Sequence, residues 1–367
     1  MEMETNKGFS ANENCTGGNT GKSEPVVMGI INVNEESFYS ASRCCNLTAF
    51  CRQLESMVAD GAGIIDIGAC STRPGSTPIT VEQEWQLLKG PLEHIASAGL
   101  AGSGKMAGVV GAGEHAGITG VGEHTGITGV GENRLRVSID TFRSEIVRRA
   151  YDIIGDFIVN DISAGEDDAQ MLPTVGKLGL EYIAMHKRGT PSTMQQLCDY
   201  PRGVVQEVAE YFLEFEKRAA LYGIREYIVD PGFGFAKSVK QNYELFMGMP
   251  QLMNIVSGKV ELSKVESGQI NNTSNGSCQK SKFVGETQFN QTAKSSRCGT
   301  SSSSRRLLVG ISRKSMIYKP LGITPESSLC ATAALNLQAL MLGADILRVH
   351  DVKEAVECVK LCKLLQQ

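Results

Sequence analysis

Residues 63–76 read GIIDIGACSTRPGS. An apolar run, Gly63 to Gly68, gives way abruptly to small and polar residues around one arginine, Arg73. A run this short and β-branched suits a strand covered on both faces, as in a parallel sheet. A cation just past the end of such a strand needs a partner, because an unpaired charge beside a core element is costly. Whether this strand is isolated or one of a series decides the fold.

It is one of a series. Eight such runs follow one another: VVMGIIN (26–32), GIIDIG (63–68), LRVSID (135–140), DFIVND (156–161), LEYIAMH (180–186), EYIVDP (226–231), LLVGIS (307–312) and ADILRVH (344–350). Amphipathic stretches lie between them, such as TAFCRQLESMVADGA (48–62), TFRSEIVRRAYDIIG (141–155) and VVQEVAEYFLEFEKRAALYG (204–223). In the last, Val205, Val208, Ala209, Phe212, Phe215 and Ala219 recur every three or four positions, a packing stripe. Gly61, Gly155 and Gly223 stand where helix C-terminal glycines belong. Strand and helix alternating eight times predict the α/β class, a single (β/α)8 TIM barrel with two surface insertions.

Composition narrows the function classes. The 367 residues are 41% hydrophobic and 21% charged, with a net charge of -4. Nothing in that balance attracts nucleic acid or an anionic membrane, so neither is an expected partner and any anion site has to be local. No run of about 18 apolar residues predicts a transmembrane helix. Residues 1–25, MEMETNKGFSANENCTGGNTGKSEP, read as a disordered polar tail without the basic start and apolar middle of a secretory leader. Its GGNTGKS (17–23) is not a phosphate loop, because the spacing requires glycine where Thr16 stands and a strand follows. The 11 cysteines are scattered without a C-x-x-C pair, which reads as reduced thiols in a cytoplasmic protein.

The barrel accordingly runs over 26–367 with two interruptions. Residues 99–134 carry a nine-residue repeat, GAGEHAGIT, GVGEHTGIT and a truncated GVGEN. Two and a half glycine-rich copies cannot build a solenoid, so the segment reads as an expanded surface loop. Residues 257–305 are rich in Ser, Asn, Thr, Gln and Lys, a low-complexity composition that cannot offset its ordering entropy. Without tail and insertions roughly 255 residues remain, close to the usual size of one such barrel.

Every strand then ends in polar groups, and that end is where barrel enzymes place their chemistry. Asn32 ends the first strand; Thr72 and Arg73 follow the second. Asp140 ends the third, Asn160 and Asp161 the fourth, Met185 and His186 the fifth. Asp230 opens the loop after the sixth; Ser312, Arg313 and Lys314 follow the seventh; Arg348, His350 and Asp351 mark the eighth. Asn32, Thr72, Arg73, Arg348 and His350 are cations and neutral donors able to bracket phosphate oxygens. Asp140, Asn160, Asp230 and Lys314 could read the donor and acceptor edge of a polar heterocycle. Plainer roles compete with some of these. Asp140 and Asp351 are also candidate helix caps, His186 a satisfied core histidine, and DPGFGF (230–235) a glycine turn or a wall of two aromatics over a flat ligand.

MGIINV…ESF, GAGIIDIGACSTRPGS, SIDT, VNDISAG, DPGFGF, SRKS and RVHDV, in this order, resemble the dihydropteroate synthase family of pterin-binding barrels. The resemblance implies condensation of 6-hydroxymethyl-7,8-dihydropterin diphosphate with 4-aminobenzoate. It implies that Asp140, Asn160, Met185, Asp230 and Lys314 hold the pterin. Asn32, Thr72, Arg73, Arg348 and His350 would take the diphosphate, Asn32 also placing Mg²⁺. Pro74, Phe235 and Ser312 would form the aminobenzoate site, where sulfonamides compete. Arg73, Lys314, Asp140 and Glu36 are the residues expected to bear on catalysis, and a homodimer packed through the late helices is implied. Two positions depart from the family pattern. NVNEESF (32–38) has Asn34 and Glu35 for Thr-Pro and Glu36 for an aspartate, and Cys70 replaces a glutamate before the Ser-Thr-Arg-Pro run. The alternatives are a non-catalytic pterin-binding paralogue, against which the retained Asn32, Arg73, Arg348 and His350 argue, and a methyltetrahydrofolate-dependent methyltransferase, which gives no reason for STRPG and SRKS.

Overall fold

The eight apolar runs all become strands: β1 Val26–Asn32, β2 Ile64–Gly68, β3 Arg136–Asp140, β4 Ile158–Asp161, β5 Glu181–Met185, β6 Ile228–Asp230, β7 Arg306–Val309 and β8 Ile346–Val349. They pair in parallel, each with the next, and β8 returns to β1 to close the barrel. This computed structural model describes residues 24–33, 43–70, 79–100, 135–190, 193–260 and 305–367. Among them the helices are α1 Arg43–Ala59, α2 Val81–Ser97, α3 Ser144–Ile154, α4 Met171–Leu178, α5 Val204–Ala220, α6 Val239–Met247, α7 Met249–Val256, α8 Ser315–Leu321, α9 Leu329–Met341 and α10 Val352–Leu365. None is long and apolar enough to cross a membrane. The tail, Glu36, Thr72, Arg73, Pro74 and most of both insertions lie outside the described residues.

Strand alternation sorts the barrel interior into layers. Met28, Ile64, Ile158, Ile183, Ile228, Leu308 and Ile346 form one buried apolar cluster contributed by seven strands. Two residues toward the C-terminal end on the same faces stand Asp66, Asn160, Met185, Asp230 and Arg348. Two residues toward the N-terminal end, Glu181 takes both Arg136 and Arg306, closing the floor with an ion pair from β3, β5 and β7. The residues between, such as Ile65, Ile67, Ile139 and Val159, face outward into a second core under the helices. There the α5 stripe packs as its spacing predicts. Val208, Ala209, Phe212, Phe215 and Ala219 are buried, with Val205 at the margin.

Helix ends follow their local signals. Thr80 and Ser238 make capping boxes for α2 and α6. Gly155 caps α3 at φ 69° and donates to Tyr151 O. The chain leaves the described part after α2 and re-enters before β3, and again after α7 and before β7. Both joins run from a helix end to a strand start, so the described chain leaves and re-enters at the floor end of the barrel. Leu100 N still donates to Ile95 O (3.1 Å), and Arg305 packs its guanidinium 4.1 Å from the Tyr227 ring centroid. Those two ends of the expected insertions therefore belong to the barrel.

A barrel complete without these segments should tolerate their loss. Replacing 101–134 by a six-residue Gly-Ser linker should keep the melting temperature within about 4 °C, read by calorimetry, since a shorter loop costs less closure entropy. A larger fall would mean that the segment packs on the barrel.

Candidate active site

The polar layer centres on a carboxylate from the run that decided the fold. Asp66 is fully buried in β2. Ser138 Oγ donates to its Oδ1 (2.6 Å), and Asn160 Nδ2 (3.1 Å) and Arg348 Nε (2.7 Å) donate to its Oδ2. Arg348 Nη2 also reaches Asp140 Oδ2 at 2.7 Å, so one guanidinium bridges two carboxylates. Gly68 makes room for this, because a Cβ there would come within 3.1 Å of Asp140 Cβ. Burial, with the charges of Asp66 and Glu84 adding to it, outweighs Arg348 and pushes the Asp140 carboxyl up to about 7. Although burial opposes it, the same two aspartates make Arg348 hold its proton more firmly than usual.

A second set forms on the β6 and β7 side. Asp230 Oδ1 accepts from Gly232 N (2.8 Å). Burial raises its pKa while Lys314 opposes the rise. Lys314 Nζ donates to Phe233 O (2.7 Å) and stands 5.1 Å from the Phe235 ring centroid. Burial lowers it to about 8. DPGFGF is a glycine turn as well as a wall. Gly232 has φ 68°, and a Cβ on it would lie 1.9 Å from His186 O. Of the two aromatics in this turn, one faces the site: Phe235 is half-buried beside Lys314, whereas Phe233 is fully buried against Phe246, so the expected wall of two aromatics is corrected to one.

At the β7 and β8 ends, Ser312 Oγ lies 3.1 Å from His350 Nδ1 and accepts from His350 N at 3.2 Å. Met185 closes β5 in register with Asp230. Asn32 ends β1 in register with Gly68, which is in register with Asp140. The expected site residues within the described part thus gather at one end of the barrel in three touching groups: Asp140, Asn160 and Arg348 through Asp66; Asp230, Lys314 and Phe235; Ser312 and His350.

The capping alternatives resolve. Asp140 stays in its strand, Arg143 occupies the α3 N-cap, and Ser144 N is taken by Asp168 Oδ2 (2.7 Å). Asp351 occupies the α10 N-cap but makes no cap hydrogen bond, because Arg313 takes both its oxygens (2.9 and 2.8 Å). His186 is a satisfied core histidine, 2.9 Å from Lys237 Nζ. Beside Cys70, the buried carboxylate comes from α2: Glu84 accepts from Thr141 Oγ1 (2.7 Å) and from Arg143, which also holds Ile79 O. Burial and Glu84 push the Cys70 thiol up, so it stays protonated.

Sequence reading passed over Asp66 and Lys237. The signal for Asp66 was present: a carboxylate in mid-run, two residues from Ile64 and so on the same strand face. Lys237 follows DPGFGF directly and looks like a solvated loop lysine, yet it is 4% exposed.

Carboxylates, an amide and two cations thus line a mouth suited to a flat polar heterocycle bearing an anion. The chain matches the pterin binding enzyme family over residues 28–101 and 126–273, and it belongs to that family. It is 30% identical over 342 residues to the dihydropteroate synthase of Escherichia coli K12, covering 92% of this chain and 91% of the relative. The Synechocystis dihydropteroate synthase is 29% identical over 349 residues, covering 92% and 89%. The crystal structure of Yersinia pestis dihydropteroate synthase with a sulfonamide drug aligns with a TM-score of 0.65 at 25% identity over 94% of each chain. That of the Thermus thermophilus enzyme with 4-aminobenzoate aligns at 0.61 and 26%, over 93% and 95%.

Two predictions follow from the electrostatics. The expectation that Asp140 accepts from a pterin carries a pH dependence, because the ionised carboxylate is the full acceptor: pterin affinity should rise with pH up to about 7 and level above it. Titration calorimetry should show this limb, and Asp140→Asn should abolish it. Asp66→Ala keeps the Arg348–Asp140 pair but orphans the buried donors Ser138 Oγ and Asn160 Nδ2 and should lower stability by about 1–3 kcal/mol; no measurable loss in denaturant unfolding would refute that.

Proposed function

We propose that this chain is a dihydropteroate synthase, joining 6-hydroxymethyl-7,8-dihydropterin diphosphate to 4-aminobenzoate with release of pyrophosphate and 7,8-dihydropteroate. The observation that carries this is Arg348. Its guanidinium is anchored at the pterin-type acceptors Asp140 and Asp66, and it shares a strand end with His350 and, through it, Ser312. One side chain thereby links a heterocycle pocket to an anion pocket. Full-length similarity to enzymes of that name supports the same reading.

In this reading the aminobenzoate nitrogen attacks the pterin methylene carbon as its carbon–oxygen bond breaks. The bonding electrons leave with the diphosphate, and the nitrogen gives up a proton. Positive charge develops on the pterin side and negative charge on the leaving group. Asp140 and Asp230 favour the first, and Asn160 and Lys314 complete the donor and acceptor match, with Met185 against the ring. Arg348, His350, Thr72 and Arg73 favour the second through charge-assisted donors. Phe235, Ser312 and Pro74 receive the aminobenzoate, the subsite where a sulfonamide would compete, and Glu36 supplies a carboxylate from the first loop. No nucleophilic side chain is required.

The residues fit Mg²⁺ arriving with the diphosphate. Such an ion keeps most of its waters and takes one or two protein oxygens besides phosphate oxygens. Asn32 offers an amide oxygen at the mouth; when bound, the ion would offset leaving-group charge. Pairing of two copies through the late helices is supported by exposed apolar residues there, Leu321, Met341, Leu361, Leu364 and Leu365.

The test is pyrophosphate release by purified protein given the pterin diphosphate, aminobenzoate and Mg²⁺. Turnover should depend on aminobenzoate and fall about 100-fold or more in Arg73→Ala. Binding of the pterin diphosphate without turnover would instead favour a non-catalytic paralogue.

A further inference from the structure

The loop that carries Phe235 is held by a lysine that touches no expected substrate. Lys237 Nζ donates to Gly232 O and Phe235 O, both at 3.0 Å, and lies 2.9 Å from His186 Nδ1. An ammonium has three N–H donors and no acceptor, so these three contacts use all of them. Between them the two carbonyls span the whole turn, while His186, at the end of β5, belongs to the barrel frame.

The two ends of this turn are secured differently. The Phe235 end has no strand pairing, and around it Gly234 N donates to Asn242 Oδ1 (2.7 Å) and Ala236 O accepts from Tyr200 (3.1 Å), leaving the Phe235 carbonyl itself to Lys237. Asp230 is the last residue of β6 and pairs in register with Met185. Gly232 N adds a bond to its carboxylate. Phe235 lies beyond the strand, where its own N–H donates to Gly232 O (3.1 Å) and its carbonyl is fixed by Lys237. Lys314 holds only the middle of the turn, at Phe233 O. Ala236, next to Phe235, sits at φ 49°, a conformation that costs energy without glycine and persists only where contacts impose it.

Building this tripod from a buried lysine has a cost. Burial lowers Lys237 to about 7, with Asp230 opposing the fall. The network survives loss of that proton. A neutral amine still donates to both carbonyls and can accept from the Nδ1–H tautomer of His186, an imidazole that burial and Lys237 keep neutral. An apolar residue of similar length would fill the same volume without holding either carbonyl.

We propose that Lys237 is a positioning residue for the acceptor subsite: it sets the Phe235 end of the turn for the aromatic amine and leaves pterin recognition to Asp140, Asn160, Asp230 and Lys314. This rests on the synthase reading for the identity of the amine, but the positioning itself does not depend on turnover.

The experiment compares wild type with Lys237→Met and with Lys237→Gln, which keeps an amide donor and covers the case in which the methionine variant fails to fold. In Lys237→Met, KM for 4-aminobenzoate should rise about tenfold while KM for the pterin diphosphate stays within about twofold. Lys237→Gln should fall between. Amide hydrogen exchange over 231–236 should quicken about tenfold or more in the variants, with the β1 to β5 strands unchanged. Parallel rises in both KM values, or unchanged exchange over 231–236, would overturn the proposal. If wild type makes no dihydropteroate, the synthase reading fails, and the exchange comparison still decides whether Lys237 holds the turn.

Discussion

The guanidinium of Arg348, bound at once to Asp66 and Asp140, is the interaction on which the rest of the molecule depends. It reaches from β8 across the closure to β2 and β3, so it exists only when β8 has paired with β1. Two carboxylates facing one cation are expensive to bury. Ser138 and Asn160 make the arrangement tolerable by donating to Asp66, leaving Asp140 as the carboxylate turned toward the mouth. The pocket is therefore built before any substrate arrives, and its charge is balanced by covalently fixed groups instead of by water.

That preorganisation is layered. The apolar cluster beneath the polar layer excludes water, and the Arg136–Glu181–Arg306 floor seals the other end. Burial, outweighing the opposite charges beside each group, is what brings the Asp140 carboxyl up to about 7 and the Lys314 ammonium down to about 8, close to the working range of a site that has to handle charge. The same burial makes the turn after β6 depend on lysines. Its carbonyls at 232, 233 and 235 are out of reach of the sheet and are satisfied by Lys237 and Lys314.

The points at which the chain leaves and re-enters the described barrel follow the same division. Joins from helix to strand lie at the stability end of a barrel, and joins from strand to helix at the reactive end. Residues 100 and 135, and 260 and 305, bound joins from helix to strand, whereas 33 and 43, and 70 and 79, bound joins from strand to helix.

The amino-acid sequence by itself pointed to the fold, because apolar runs buried on both faces, alternating with amphipathic stretches, call for a parallel sheet clad in helices, and eight such units over roughly 255 residues favour the closed form. It also determined most of the site. Asn32, Asp140, Asn160, Asp230, Lys314, Arg348 and His350 are legible as polar residues where apolar strands end. What only the tertiary structure decided is how those residues share charge. Nothing local says that Asp66, in mid-strand, anchors Arg348 from 282 positions away, or that Asp351 is spent on Arg313 instead of on its helix. Nor does it say that Phe233 turns to the core while Phe235 turns to the mouth, or that Lys237 is buried. Periodicity is a property of neighbours along the chain and is written in sequence. The partner of a buried charge is a property of strands that meet only when the barrel closes.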